Sequence, residues 1–249
     1  MYSSSEPSLT VGLLHLPFKQ MKQLLTAMVD DDRDEVKDLL NKDPQLATRH
    51  IDEAELYEAK IFHWIYVGDT ALHLAAAGYR VEIVQLLLSA GADPNSIANH
   101  RRSSPLHYAA DGYITGPAWD PKRQVTTIRY LLDAGSRINA QDKNGATPLH
   151  RAVRTRCAAA VECLLQAGAD PLRKNLPGST PFHLAVQNTG RGGSGDEKAK
   201  EAQRQIIETF LSRGVSVQLK DCKGKSVLDW AMSDWILEML ANGSGNDTH

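Results

Sequence analysis

"TPLHRAV", residues 147–153, joins a threonine and a proline to a leucine, a histidine and a short apolar run. Near copies stand at 70–76 ("TALHLAA"), 104–110 ("SPLHYAA") and 180–186 ("TPFHLAV"). A repeated histidine can be a catalyst, a metal ligand or a scaffold part, and the intervals help to choose. His73 to His107 is 34 residues, His107 to His150 is 43, and His150 to His183 is 33. A second marker keeps the same time. "LLLSAGAD" (86–93), "LLDAGSRI" (131–138), "LLQAGADP" (164–171) and "FLSRGVSV" (210–217) each place a glycine just past a leucine-rich end. Self-similarity at a period near 33 signals a repeat architecture, so each residue is read first by its place in the unit.

The unit has a physical logic. Thr147 can cap a helix through its hydroxyl, and Pro148 fits the first helical position, where no N–H is needed. Thr70, Ser104, Thr180 and Ser226 take the same place. The first helix is short and rich in small residues, which let neighbouring helices approach closely. The second, as in "VEIVQLLLSAG", is expected to put Val81, Val84, Leu87 and Leu88 on one face. Gly91, Gly135, Gly168 and Gly214 then suit the left-handed turn that ends it.

T-P-L-H-x-A, a second amphipathic helix and a G-A-D-x-N link resemble the ankyrin repeat family, over about residues 20–243. The resemblance implies an all-α solenoid of about six stacked helix–turn–helix units with projecting hairpin-like turns. It implies binding rather than catalysis. It also implies that Thr70, His73, His107, Thr147, His150, Thr180 and His183 are scaffold, each histidine hydrogen-bonding backbone in and beside the turn. A metal site would need several nitrogens within about 2.0–2.1 Å of one ion, whereas side chains one unit apart form a row. Asp229 takes the histidine's place in the last unit.

Segment 23–47 fits the template without Pro and His, with an acidic turn at 30–34, and reads as an N-terminal cap; 224–243 reads as a shortened C-terminal cap. Terminal repeats are expected to be atypical because one face meets water. The expected organisation is a flexible segment 1–18, a single domain 19–243 and a flexible tail 244–249. Within the domain lie an N-cap 19–49, a loop insertion 50–64, repeats 65–98, 99–141, 142–174 and 175–220, and a C-cap 221–243. Two further insertions, about 114–124 and 191–203, interrupt the turn between the helices of a repeat. Trp119 in the first of these either anchors a partner or folds back on its own repeat. "GRGGSG" (190–195) satisfies G-x-G-x-x-G, but a helix and not a strand precedes it, so a flexible, dispensable linker is the better reading. Lys198 and Lys200 are expected on a solvated face beyond it.

Composition agrees with a binding module. Of 249 residues, 42% are hydrophobic and 23% charged, as in ordinary soluble domains. The formal net charge of −2 gives no electrostatic footprint for nucleic acid or an anionic membrane. Cys157, Cys163 and Cys222 form neither a disulfide framework nor a zinc ribbon, and free thiols fit a reducing compartment. The start of the chain has no basic residue before Lys19 and only a short, broken apolar stretch, so neither a signal nor an anchor is expected and the protein reads as cytoplasmic. No nucleophile constellation, calcium loop or cofactor motif survives inspection.

The leading reading is therefore a non-enzymatic protein–protein interaction module, a monomer without cofactor, metal, nucleic acid or membrane partner. The alternative is a dedicated inhibitor or regulatory subunit of one enzyme, acting through an insertion. By the resemblance, partner contacts come from the concave surface of hairpin tips and first helices. Carried over by position, the tips hold Tyr66, Val67 and Asp69; His100, Arg101 and Ser103; Lys143, Asn144 and Ala146; Leu176 and Ser179; Lys223 and Lys225. The first helices offer Ala77, Asp111, Arg154 and Gln187. Arg101, Lys143, Arg154, Arg173 and Lys174 are expected to form a basic stripe suited to an acidic or phosphorylated protein segment.

Overall fold

The structure, a computed structural model, describes residues 9–57, 60–61, 63–112, 114, 116, 119–188 and 195–243; for 9–18, Tyr57 and Gly243 it describes the backbone. Helices come in pairs. The first members are α1 (Leu9–Val29), α3 (Ala71–Ala77), α5 (Pro105–Ala110), α7 (Pro148–Arg154), α9 (Pro181–Ala185) and α11 (Val227–Trp230). The second members are α2 (Arg33–Lys42), α4 (Val81–Ser89), α6 (Pro121–Asp133), α8 (Ala158–Gln166), α10 (Glu197–Leu211) and α12 (Asp234–Gly243). Each first helix packs on the next first helix and each second helix on the next second helix, so the pairs stack as a two-layer solenoid.

The local chemistry explains the start of each unit. Thr70, Ser104, Thr147, Thr180 and Ser226 are extended N-cap residues, and proline opens α5, α7 and α9. Small residues of the inner layer, such as Ala75, Ala76, Ala109 and Ala152, are buried and let the short helices approach closely. On α4 the buried face is Ile83, Val84 and Leu87, whereas Val81 and Leu88 are half-buried. The expected stripe is rotated because the outer layer also meets its neighbours sideways. Gly91, Gly135, Gly168 and Gly214 close the second helices at φ 91, 89, 92 and 68. The core is one continuous apolar cluster from Met21 to Leu240.

The structure departs from the expected outline in four places. Residues 9–18 of the segment expected to be flexible are helical, continuous with α1. Extending a helix that already packs adds a hydrogen bond for each residue fixed, without a new nucleus. Residues 1–8 and 244–249 lie outside the described residues.

The insertion 50–64 is not a plain loop. Strands β1 (Glu55–Tyr57) and β2 (His63–Ile65) pair antiparallel, with Leu56 opposite Trp64. Ile61 and Ile65 are buried, and β2 lies against α3. The other two insertions end sooner than expected. Asp120 and Asp196 cap α6 and α10 by accepting backbone N–H groups, which returns 121–124 and 197–203 to helix.

Candidate functional site

The motif histidines work as couplers. In each, Nδ1 accepts the N–H of the N-cap residue: Thr70, Ser104, Thr147 and Thr180, at 3.0–3.2 Å. The proton therefore sits on Nε2, which donates to a carbonyl in the next unit. The acceptors are Ser103 for His73, Ala146 for His107, Ser179 for His150 and Lys225 for His183, at 3.0–3.3 Å. Burial lowers the pKa of all four rings, to about 4 for His107. A second proton would have to point at a backbone N–H. Asp229 accepts from the Ser226 N–H and hydroxyl in the same way. A carboxylate cannot donate onward, and α11–α12 is the last unit described.

The tips are organised by a second set of short-range bonds. Oδ1 of Asp142 accepts the N–H groups of Asn144 and Ala146, and Oδ1 of Asp221 those of Lys223 and Lys225. Asn99 does the same for Arg101 and Ser103. Asp69 is fully buried, accepting from the Tyr66 N–H, the Asn99 amide and the Tyr108 hydroxyl. The tip carboxylates are thus consumed inside the turns. Neighbouring tips touch: Lys143 N–H donates to the Arg101 carbonyl, and Leu176 N–H to the Asn144 carbonyl, both at 2.9 Å.

What remains outward at the tips is largely basic or apolar, with the amide of Asn144 among it and the exposed Asp52 and Glu53 on the insertion beside the first tip. Arg102, Lys143, Lys174, Lys223 and Lys225 are exposed, and none makes an ion pair among the described residues. Val67 is 55% exposed and Leu176 74%. At the first two tips, Arg101 lies over the Tyr66 ring at 5.2 Å and donates to its hydroxyl at 3.1 Å. His100 meets Tyr66 edge-on at 4.8 Å, and Trp64 stacks against Tyr66 at 6.5 Å.

The candidate contact residues divide accordingly. Tyr66, Arg101, Lys143, Asn144, Arg154 and Lys174 reach the surface, fully or in part. Asp69 and Ser103 do not, being 0% and 1% exposed. Both belong to the packing between units, because a tip folds its first and last polar side chains inward. Ala77 is buried as well, beneath the inserted hairpin. Asp111 is mostly buried and accepts from Arg151 at 3.1 Å and Arg154 at 3.2 Å.

Arg151 was not legible as a buried residue. Its side chain is 5% exposed and bonds Asp142 at 2.6 Å and the Ser103 hydroxyl at 3.1 Å, besides Asp111. Burial opposes its charge, but the two aspartates more than offset this and keep the guanidinium protonated. Burial likewise pushes Asp142 up, while Arg151 and two backbone N–H groups hold it below the usual carboxylate value. Trp64 was also missed. The signal for it was the aromatic and β-branched run "IFHWIYV" (61–67) next to the first tip.

Trp119 is half-buried, and its indole N–H donates to Gln124 at 3.1 Å. Lys198 reaches back from α10 to stand 5.2 Å over that ring and to bond the Ile114 carbonyl at 2.7 Å. It stays exposed, as expected of a solvated face, and at the same time bridges the second and third insertions. The linker reading of "GRGGSG" falls mainly on residues outside those described; Gly195, within them, has a left-handed φ of 88. Between the inserted hairpin and the loop of Trp119 lies a 170 Å³ cleft lined by His63, Tyr79 and Asp111 among others. Among the described residues no cluster of His, Cys, Asp and Glu is placed to hold a metal. No described helix is long and apolar enough to cross a membrane.

Comparison with known proteins points the same way as the geometry. The family model for ankyrin repeats in three copies matches residues 121–196, and that for a single ankyrin repeat matches 67–99. The chain is 34% identical over 105 residues to the B-cell lymphoma 3 protein of Homo sapiens, which is 41% of this chain and 21% of that protein. It is 30% identical over 163 residues to the E3 ubiquitin-protein ligase KEG of Arabidopsis thaliana, 64% of this chain and 9% of the ligase. It is 32% identical over 155 residues to ankyrin repeat and SOCS box protein 6 of Homo sapiens, 58% of this chain and 35% of that protein. The chain thus spans 9% to 35% of the length of these relatives.

Proposed function

We propose that this chain, which belongs to the ankyrin repeat family, binds a protein segment along the concave surface of its hairpin tips and first helices. Ankyrin repeats are protein–protein interaction modules, and the site named here is this chain's own version of that role. The observation that carries it is the row of tips whose carboxylates are turned inward while Arg101, Lys143 and Lys174 face out. The segment bound is acidic or phosphorylated, since such a row steers negative charge toward itself. Exposed charges are screened over about 8 Å at physiological ionic strength, so binding weakens as salt rises.

A captured partner tests this directly. Arg101→Glu with Lys143→Glu is expected to slow association at low salt by about tenfold or more, within the range of electrostatic steering. Equal on-rates for wild type and double variant would overturn the reading.

The bridge from Lys198 to Ile114 and Trp119 favours a second reading, a regulator of one enzyme. Two insertions meet across α7 and α8 as one built feature. A single enzyme captured at one-to-one stoichiometry, and lost on Lys198→Ala, would support this reading over a general binding module.

A further inference from the structure

We infer that the Trp64–Tyr66–Arg101 cluster is the anchoring end of the tip row. The occupant is an extended acidic peptide segment that carries one aromatic or large aliphatic residue at the end docked there. The inference rests on the proposed acidic partner and adds where, and in what register, that partner is held.

The cluster is assembled from two sources. Tyr66, His100 and Arg101 come from the first two tips. Trp64 comes from β2, so it exists here only because of the insertion. Trp64 keeps 47% of its surface exposed although it is large and apolar, with the 55% exposed Val67 three residues on. Tryptophan, tyrosine and arginine are the residues that most often dominate the energetics of protein interfaces.

Arg101 is preorganised. The Tyr66 ring and hydroxyl hold its guanidinium in one place, and its remaining donors meet no carboxylate among the described residues. A fixed guanidinium with open donors takes a carboxylate in a bidentate pair. A ring or large aliphatic group beside that carboxylate would stack on Trp64, burying apolar area on both partners.

The register follows from the spacing of the tips. Packed helices lie about 8–10 Å apart, which sets the step from one tip to the next. An extended segment covers that step in about three residues at ~3.3 Å each. From the Trp64 end, carboxylates at about every third residue would meet Arg101, Lys143, Lys174 and finally Lys223 with Lys225. Along the row itself the opposite sign is not accommodated, since the tip aspartates 69, 142 and 221 are buried within their turns; the exposed Asp52 and Glu53 lie on the insertion that follows Ile51 and not on a tip.

The test uses the full chain and four fluorescein-labelled synthetic peptides of thirteen residues, read by anisotropy. The first has phenylalanine at one end and glutamate at every third position in a serine–glycine background. The second replaces the phenylalanine by serine, the third gathers the glutamates at one end, and the fourth replaces them by lysine. The first is expected to bind tightest and the fourth not at all. Trp64→Ala should weaken the first at least about tenfold, the scale of one interface hot spot. It should leave the second unchanged, and Trp64→Phe should restore most of the loss. Circular dichroism melts of both variants should match wild type.

If the first and second peptides bind equally and both respond to Lys143→Glu, the acidic-partner reading stands and the anchor is overturned. If the third binds as well as the first, the register is overturned. If no acidic peptide binds, both readings fall. A thirteen-nucleotide single-stranded DNA that displaces the first peptide at lower concentration would make the cluster a base-stacking site instead and overturn the inference.

Discussion

The two edges of the solenoid use the same residue types in opposite ways. Along one edge run the tight turns that join first to second helices. Asp31, Tyr79 and Arg156 sit there with φ of 58, 52 and 59. Arg33 and Arg123 both reach Asp31 and Glu82, at 3.2–3.6 Å, and Arg80 donates to the Val29 carbonyl at 2.8 Å. Cations here tie the first three units together. Along the tip edge, Arg102, Lys143, Lys174, Lys223 and Lys225 make no ion pair among the described residues, because the turns either take their aspartate inside, as at 142 and 221, or have an asparagine in its place, as at 99 and 175. Like charges in a row repel and add nothing to folding. A cation paired across units stabilises the stack; a cation left unpaired on a rigid row is open to another molecule.

The contrast breaks most visibly at Arg151, where a paired cation is also buried. Arg151→Ala leaves the buried Asp142 without its cation and Asp111 with Arg154 alone, so a loss of about 3 kcal/mol is expected in urea unfolding. A loss under 1 kcal/mol would mean that packing alone joins these units.

Next in size is the row of histidines. His150→Ala removes the link from the Thr147 N–H to the Ser179 carbonyl and should cost about 1–3 kcal/mol. The pH dependence sharpens this. In the unfolded chain histidine titrates near 6.5, whereas the folded protein holds these rings neutral, His107 down to about 4. Below pH 6.5 the unfolded state takes up protons that the folded state refuses. Stability should be full above that pH and fall steadily toward 4, read as the urea midpoint at fixed ionic strength. A midpoint level from pH 7 to 4.5 would contradict the assigned tautomers.

Arg123→Ala probes the turn edge. Its ion pairs are partly exposed, so about 1 kcal/mol is expected, shrinking in high salt. The smallest effect belongs to the tips. Lys143→Ala together with Lys223→Ala should change stability by no more than about 0.5 kcal/mol, in thermal melts with and without salt. A clear gain in stability at low salt would measure the repulsion along the row; a clear loss would show that these lysines have partners after all.

How much of this was legible in the sequence depends on the distance between the residues involved. The all-α solenoid, its capped first helices and its left-handed glycines were readable because each is decided within a few positions. Thr147 caps what Pro148 begins, and His150 lies three residues from the N–H it accepts. The period made the same local answer recur. The hairpin of 55–65 was not readable as strands, because strands of three residues carry too little alternation to stand out from a loop.

The amino-acid sequence by itself determined the unit, the row and the residue types at each tip. Only the tertiary structure decided which of those residues remain available. Asp69 and Ser103 occupy tip positions as fully as Lys143 does, yet Asn99 and Tyr108, 30 and 39 residues on, hold Asp69 inside, and Arg151, 48 residues on, does the same for Ser103. Trp119 and Lys198, in different insertions, settle against each other. The physical reason is that capping and turn formation are local hydrogen-bond choices. Burial and charge pairing depend on what the stacked neighbour brings, and stacking joins residues about one unit or more apart in the chain.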